Sequence, residues 1–121
     1  MEHALSGYHN QLPHGAGLIM DCVANFSYFV EHHACDDRFI RLAKAMGKED
    51  ASSPWDFIDM LKKLIEDCGV ADLKMSDWGI TPDEFPKMAD DGLGPLHWLF
   101  TCDRIPLTKD DIIEMYQKSY K

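Results

Sequence analysis

The run from Leu18 to Val30 constrains the fold more than any other stretch, because only Asp21, Asn25 and Ser27 in it are clearly polar. Leu18, Cys22, Phe26, Phe29 and Val30 follow helical spacing. Ile19, Val23 and Ala24 widen that stripe to most of the circumference. The pattern predicts a helix, roughly from Gly15 to His33, around which other helices pack. It is shorter than a membrane span and Asp21 interrupts it. Leu12-Pro13-His14-Gly15-Ala16-Gly17 stands directly ahead. Pro13 stops any preceding helix, and the two glycines are expected to let the backbone turn tightly into the new one. His14 is thereby expected just before the start of the most buried helix, beside free backbone N–H groups.

The remaining segments also read as helices. Asp36 or Asp37 can cap a helix carrying Phe39, Ile40, Leu42, Ala43 and Met46, closed by Gly47. Ser53-Pro54-Trp55-Asp56 combines an N-cap serine, a proline at the first position and an acid three residues on. The helix behind it places Phe57, Ile58, Leu61, Leu64, Ile65 and Cys68 on one stripe, and Gly69 ends it. Val70 to Ile80 reads as a connector. Thr81-Pro82-Asp83-Glu84 repeats the cap, and a short helix with Phe85, Met88 and Ala89 runs to about Gly92. Gly92 to Pro106 reads as a loop rich in Leu93, Leu96, Trp98, Leu99 and Phe100, a cluster that must pack on the core or on a partner. Thr108 caps a last helix with Ile112, Ile113, Tyr116 and Tyr120 on one face. Met1 to Gln11 has no cap and no start of its own. No segment alternates with period two long enough to make a strand, so the fold class is all-α, about five helices around a buried central one.

A chain of 121 residues fits one domain, 1–121, with a real core. Its net charge of −9, from 21 acidic and 12 basic residues, argues against nucleic acid and against anionic membrane surfaces. Cys22, Cys35, Cys68 and Cys102 form no Cys-x-x-Cys pair, which removes a zinc knuckle and a thioredoxin-type site. Cys22 and Cys68 are expected to act as small buried hydrophobes. Reduced thiols and the lack of a signal peptide point to a cytoplasmic protein.

Six histidines carry the chemistry on offer: His3, His9, His14, His32, His33 and His97. Imidazole is the commonest metal ligand and must be neutral to bind. His14 is the best candidate, since a helix N-terminus disfavours imidazolium. A capping or hydrogen-bonded histidine is the competing reading. His32 and His33 are adjacent and point about 100° apart on a helix, so a solvated helix end suits them better than a shared ion. A turn-rich site built from His3, His9 and His14 is a further possibility. Gly15-Ala16-Gly17 before a helix could hold an anion, but no strand precedes it as a dinucleotide fingerprint requires.

Glu2-His3-Ala4-Leu5-Ser6 followed by Leu12-Pro13-His14-Gly15-Ala16-Gly17 resembles the helical C-terminal domain of the iron-containing (group III) alcohol dehydrogenases. Phe39 to Gly47 is similar to that domain's helix ending in alanine, methionine and glycine. Asp67-Cys68-Gly69-Val70 and Met75-Ser76-Asp77-Trp78-Gly79-Ile80 resemble its connector, and Asp110 to Tyr120 its closing helix. The resemblance covers essentially the whole chain. It implies an all-α domain of the dehydroquinate synthase-like type that, in the complete enzyme, faces an α/β domain binding NAD(P). A divalent metal, iron or sometimes zinc, is held in the cleft by one aspartate and three histidines.

By this resemblance His14 occupies the position of the last metal histidine. His3 occupies that of a catalytic histidine facing nicotinamide and substrate. The spacing between them is one residue longer than in many members. The other ligands would precede His3, so the chain is expected to be a piece of such an enzyme, to hold neither metal nor NAD(P) tightly, and to be inactive alone. Its partner would be the N-terminal nucleotide-binding half. The alternative is a non-catalytic helical binding or scaffold module that self-associates or pairs with another chain.

Overall fold

Caps and glycine stops divide the chain, and each can be followed into the helix it delimits. The computed structural model describes residues 1–94 and 97–121; Pro95, Leu96 and the side chain of His97 lie outside the described residues. Among the described residues seven α-helices follow in order: α1 (Glu2–Tyr8), α2 (His14–Glu31), α3 (Asp36–Ala45), α4 (Trp55–Asp67), α5 (Phe85–Leu93), α6 (His97–Phe100) and α7 (Lys109–Ser119). Short 3-10 turns cover Met75–Trp78 and Pro82–Glu84. No strand occurs among the described residues. The all-α reading holds, with more and shorter helices than the periodicity predicts. The chain forms two compact units, one of Met1–Ala24 and Leu73–Lys121, the other of Asn25–Asp72.

In the first unit α5 packs against α1, α6 and α7. Two capping boxes fix where its helices begin. At Thr108 the side chain accepts from the Asp111 N–H, and Asp111 accepts from the Thr108 N–H at 2.8 Å. At Thr81, Glu84 Oε2 accepts from the Thr81 N–H at 2.8 Å. Each box satisfies two backbone donors that a helix start leaves open. Glu84 Oε1 also meets His9 Nε2 at 3.0 Å, fastening the turn after α1 to the turn before α5. Burial pushes the Glu84 carboxyl up, but the bonds from Thr81 and His9 outweigh it and hold the group below the usual range. The core beneath is Leu5, Met75, Ile80, Phe85, Met88, Ile112, Met115 and Tyr116, all buried. Phe85 stacks on Tyr116, with ring centroids 5.3 Å apart, and takes Tyr120 edge-on at 5.9 Å.

The second unit is built on α3 and α4. Both end as their glycines predict. Gly47 (φ +102°) and Gly69 (φ +69°) adopt left-handed backbone, and the next N–H reaches back over the end, Lys48 to Ala43 O at 3.0 Å and Val70 to Ile65 O at 3.1 Å. Asp56 fastens the start of α4 by accepting from the Ser52 and Ser53 N–H groups at 2.8 and 2.9 Å, bonds that lower its carboxyl pKa. Phe26, Phe39 and Phe57 form the core: Phe39 and Phe57 stack at 5.3 Å, and Phe26 meets both edge-on at 6.2 and 5.3 Å. Ala43, Ala51 and Ile58 close around them.

Several expectations need correction. Met1 to Gln11 contains a helix, α1, held by burial of Leu5 and not by a side-chain cap. Cys35, not Asp36 or Asp37, takes the N-cap position of α3, and the two acids lie in its first turn. α2 is less surrounded than its apolar content predicts: Leu18 is 49% exposed, and the buried positions are Gly17, Met20, Asp21, Ala24, Tyr28 and Val30. The stripe of α4 is narrower too, with Phe57 and Ile58 buried while Leu64 and Cys68 are exposed, so Cys68 is no core residue. Within Gly92 to Pro106, α5 extends to Leu93 and α6 forms. Phe100 leans over Gly92, and Trp98 and Leu99 stay exposed, so that part of the cluster is not buried by this chain. Leu96 lies outside the described residues.

Candidate metal centre

Pro13 sets the site's geometry because its carbonyl accepts the first bonds of α2, from Ala16 N at 2.9 Å and Gly17 N at 3.2 Å. His14 is thus the first residue of the helix, which begins one residue earlier than expected, and it stands 54% exposed. The His3 ring at the start of α1 stacks on it, centroids 5.3 Å apart and planes 11° apart. Glu2 lies beneath, only 4% exposed, with its carboxylate against His14 Nδ1. Glu2, His3 and His14 each offer a ligand atom, and those atoms lie within 4.8 Å of one another.

Gly17 makes this approach possible by its lack of a side chain, not by a turn. It has no positive φ, and neither has Gly15. A Cβ on Gly17 would stand 2.7 Å from both Cγ and Oε1 of Glu2, so only hydrogen leaves room for the carboxylate there. The Glu2 carboxyl already fills the space beside Gly17, which makes the Gly15–Gly17 segment a poor seat for an anion.

One turn further along α2, Asp21 is also buried, and neither of its oxygens has a hydrogen-bond partner among the described groups. Burial raises its carboxyl pKa to about 7; the chain's amino group opposes the rise and Glu2 adds to it. The Tyr116 phenol is pushed up by burial and by the charges of Asp21 and Glu2, and it donates to the Met1 carbonyl at 2.8 Å. Below the two exposed imidazoles, then, lies a floor of two buried carboxyls and a phenol, of which Asp21 and Tyr116 hold their protons more tightly than usual.

The other histidines are engaged elsewhere. His9 pairs with Glu84 and joins neither His3 nor His14, which removes the three-histidine site. His32 Nδ1 reaches Tyr28 O at 2.8 Å while the ring stacks on Tyr28. His33 takes the left-handed position (φ 53°) that closes α2 and pairs with Asp36 at 2.8 Å. Both belong to a helix end, as their adjacency predicts. The His97 side chain lies outside the described residues. Cys22 donates to Ile19 O at 3.2 Å, and burial raises its pKa, which suits an unreactive thiol.

Sequence reasoning picked out His3 and His14, and the structure brings them together. It missed Glu2 and Asp21. The available signal was spacing: His14, Gly17 and Asp21 lie three and four apart on one helical face, so an acid inside an apolar stretch repeats on the face of the candidate histidine.

Among the described residues no helix is long and apolar enough to cross a membrane. Two solved structures share the fold. One is the crystal structure of ADH/D1, an archaeal halo-thermophilic alcohol dehydrogenase from a Red Sea brine pool, bound to NZQ, with a TM-score of 0.81 at 24% identity. The other is a histidine-to-alanine mutant of that enzyme, with a TM-score of 0.82 at 24% identity. Each alignment covers 98% of this chain and 32% of the other, so the chain spans about a third of their length. The curated proteins give no match. Residues 1–120 match the profile of the Fe-containing alcohol dehydrogenase family, C-terminal, and over that span the chain belongs to this family as its C-terminal domain.

Proposed function

We propose that residues 1–121 act as one helical domain, the metal-site half of an NAD(P)-linked alcohol dehydrogenase, with His14 as a metal ligand and His3 facing the nicotinamide and substrate. The observation that supports this best is the stacked, exposed pair His3 and His14 over a buried carboxylate. Imidazole nitrogens with a carboxylate nearby suit Fe²⁺ or Zn²⁺, so the donor chemistry fits the metal that the family implies. Such an ion would supply Lewis-acid polarisation of an alcohol or carbonyl oxygen for hydride exchange with a nicotinamide. His14 would hold it through a ring nitrogen, and the His3 ring, stacked on His14, would line the substrate side.

Three donor atoms, one of them turned toward a histidine nitrogen, do not make the four-ligand set that the resemblance implies. The chain alone is expected to hold no stoichiometric metal and to show no alcohol-dependent NAD(P) reduction. Adding a nucleotide-binding half should restore both. In that assembly His14→Ala should lose the metal, while His3→Ala should keep it and lower kcat. Full metal content with His14→Ala, or no activity with a matched half, overturns the reading. A scaffold role is favoured by one observation: Trp98 on α6 is 60% exposed beside an exposed Leu99. Size-exclusion chromatography across concentration tests it, since a chain that stays monomeric throughout does not self-associate by that patch.

A further inference from the structure

We propose that Glu2 is a positioning residue: its buried carboxylate accepts the Nδ1–H of His14 and leaves Nε2 as the nitrogen free to bind. The inference rests on the reading of His14 as a ligand only for its consequence; the pair itself stands on geometry.

Glu2 is buried, neither of its oxygens has a hydrogen-bond partner among the described groups, and Oε2 lies in ion-pair contact with His14 Nδ1. A buried carboxylate without a partner is costly, and the nearest donor atom is His14 Nδ1. An ionised carboxylate can only accept, so Nδ1 must carry the hydrogen. In the neutral ring that leaves the lone pair on Nε2. Gly17 keeps the geometry open, because any side chain there would meet Glu2 Cγ and Oε1. His3 stacks on the ring and limits its rotation. Three neighbours thus hold one imidazole in one tautomer and one orientation before any ion arrives. A carboxylate behind a ligating histidine also raises the basicity of the ligating nitrogen.

The test reads the tautomer directly, by long-range ¹H–¹⁵N NMR on the labelled chain above the imidazole pKa. Wild type should show His14 as the Nδ1–H form. Glu2→Met keeps the side-chain length, removes the acceptor and should lose that form. Gly17→Ala leaves the carboxylate in the chain but displaces it, and should lose the form too; it carries the test if Glu2→Met does not fold. An Nε2–H ring in wild type, or an unchanged tautomer in a folded variant, overturns the proposal. In the enzyme assembled with a nucleotide-binding half, Glu2→Met should weaken metal affinity about 10–100-fold. Unchanged affinity there overturns the positioning role. If the tautomer shifts as expected but no metal binds at all, the pair stands and the dehydrogenase reading fails.

Discussion

The two units bury different things. Among the described residues, every buried polar or charged side chain, Glu2, Asp21 and Ser119, lies in the unit of Met1–Ala24 and Leu73–Lys121. The unit of Asn25–Asp72 is closed by Phe26, Phe39 and Phe57, with no charge among its buried residues. A dry aromatic core stabilises by area and shape alone, and it is the same at every pH. A core that contains two carboxyls gives up some of that stabilisation to hold charges near the surface where chemistry is proposed. Both units have apolar cores, but buried carboxyls are confined to one of them.

Phe57→Ala should break the comparison most forcefully. It removes the ring that touches both other phenylalanines and should cost about 3–5 kcal/mol, read by urea denaturation. The loss should be the same at low and high pH, and a pH-dependent loss would contradict a dry core.

Asp21 should give the opposite signature. Its folded pKa of about 7 exceeds the ordinary 3.8, so the unfolded chain releases this proton first as pH rises. Its favourable contribution is complete below pH 3.8 and is lost as pH climbs through about 7, by at most about 4 kcal/mol. Asp21→Asn should flatten that profile and make the protein more stable than wild type at alkaline pH. A steeper fall in the variant would show that the carboxylate has a partner.

Thr108→Ala sharpens the comparison at its small end. It removes an exposed capping box at the start of α7 and should cost about 1 kcal/mol, independent of the buried acids above it. Thermal melts of single and double variants with Asp21→Asn should add. Strong coupling would place the cap and the acid in one network.

Much of this was legible in the residues. Thr81 with Glu84, Thr108 with Asp111, and the glycines at 47 and 69 act locally, so their chemistry is written within a few positions and the structure repeats it. The exposure of Leu18 and Leu64 was not legible, because periodicity tells which residues share a face but not how much of that face a neighbour covers. α1 was missed for a related reason: it has no side-chain cap and relies on burying Leu5 against distant sequence. His3 and His14 could be named from the pattern around them. Glu2 could not, since its placement depends on the space left at Gly17 and on a ring nitrogen from another helix.

Glu84 ties one end of this architecture to the other. One oxygen closes the cap before α5 and the other grips His9, just past the helix that presents Glu2 and His3. A single carboxylate is therefore a shared rivet for two seams, and a mutation or a proton that removes its charge would slacken both together. The turn that follows the helix carrying Glu2 and His3 is anchored in this way by a glutamate that touches neither of them.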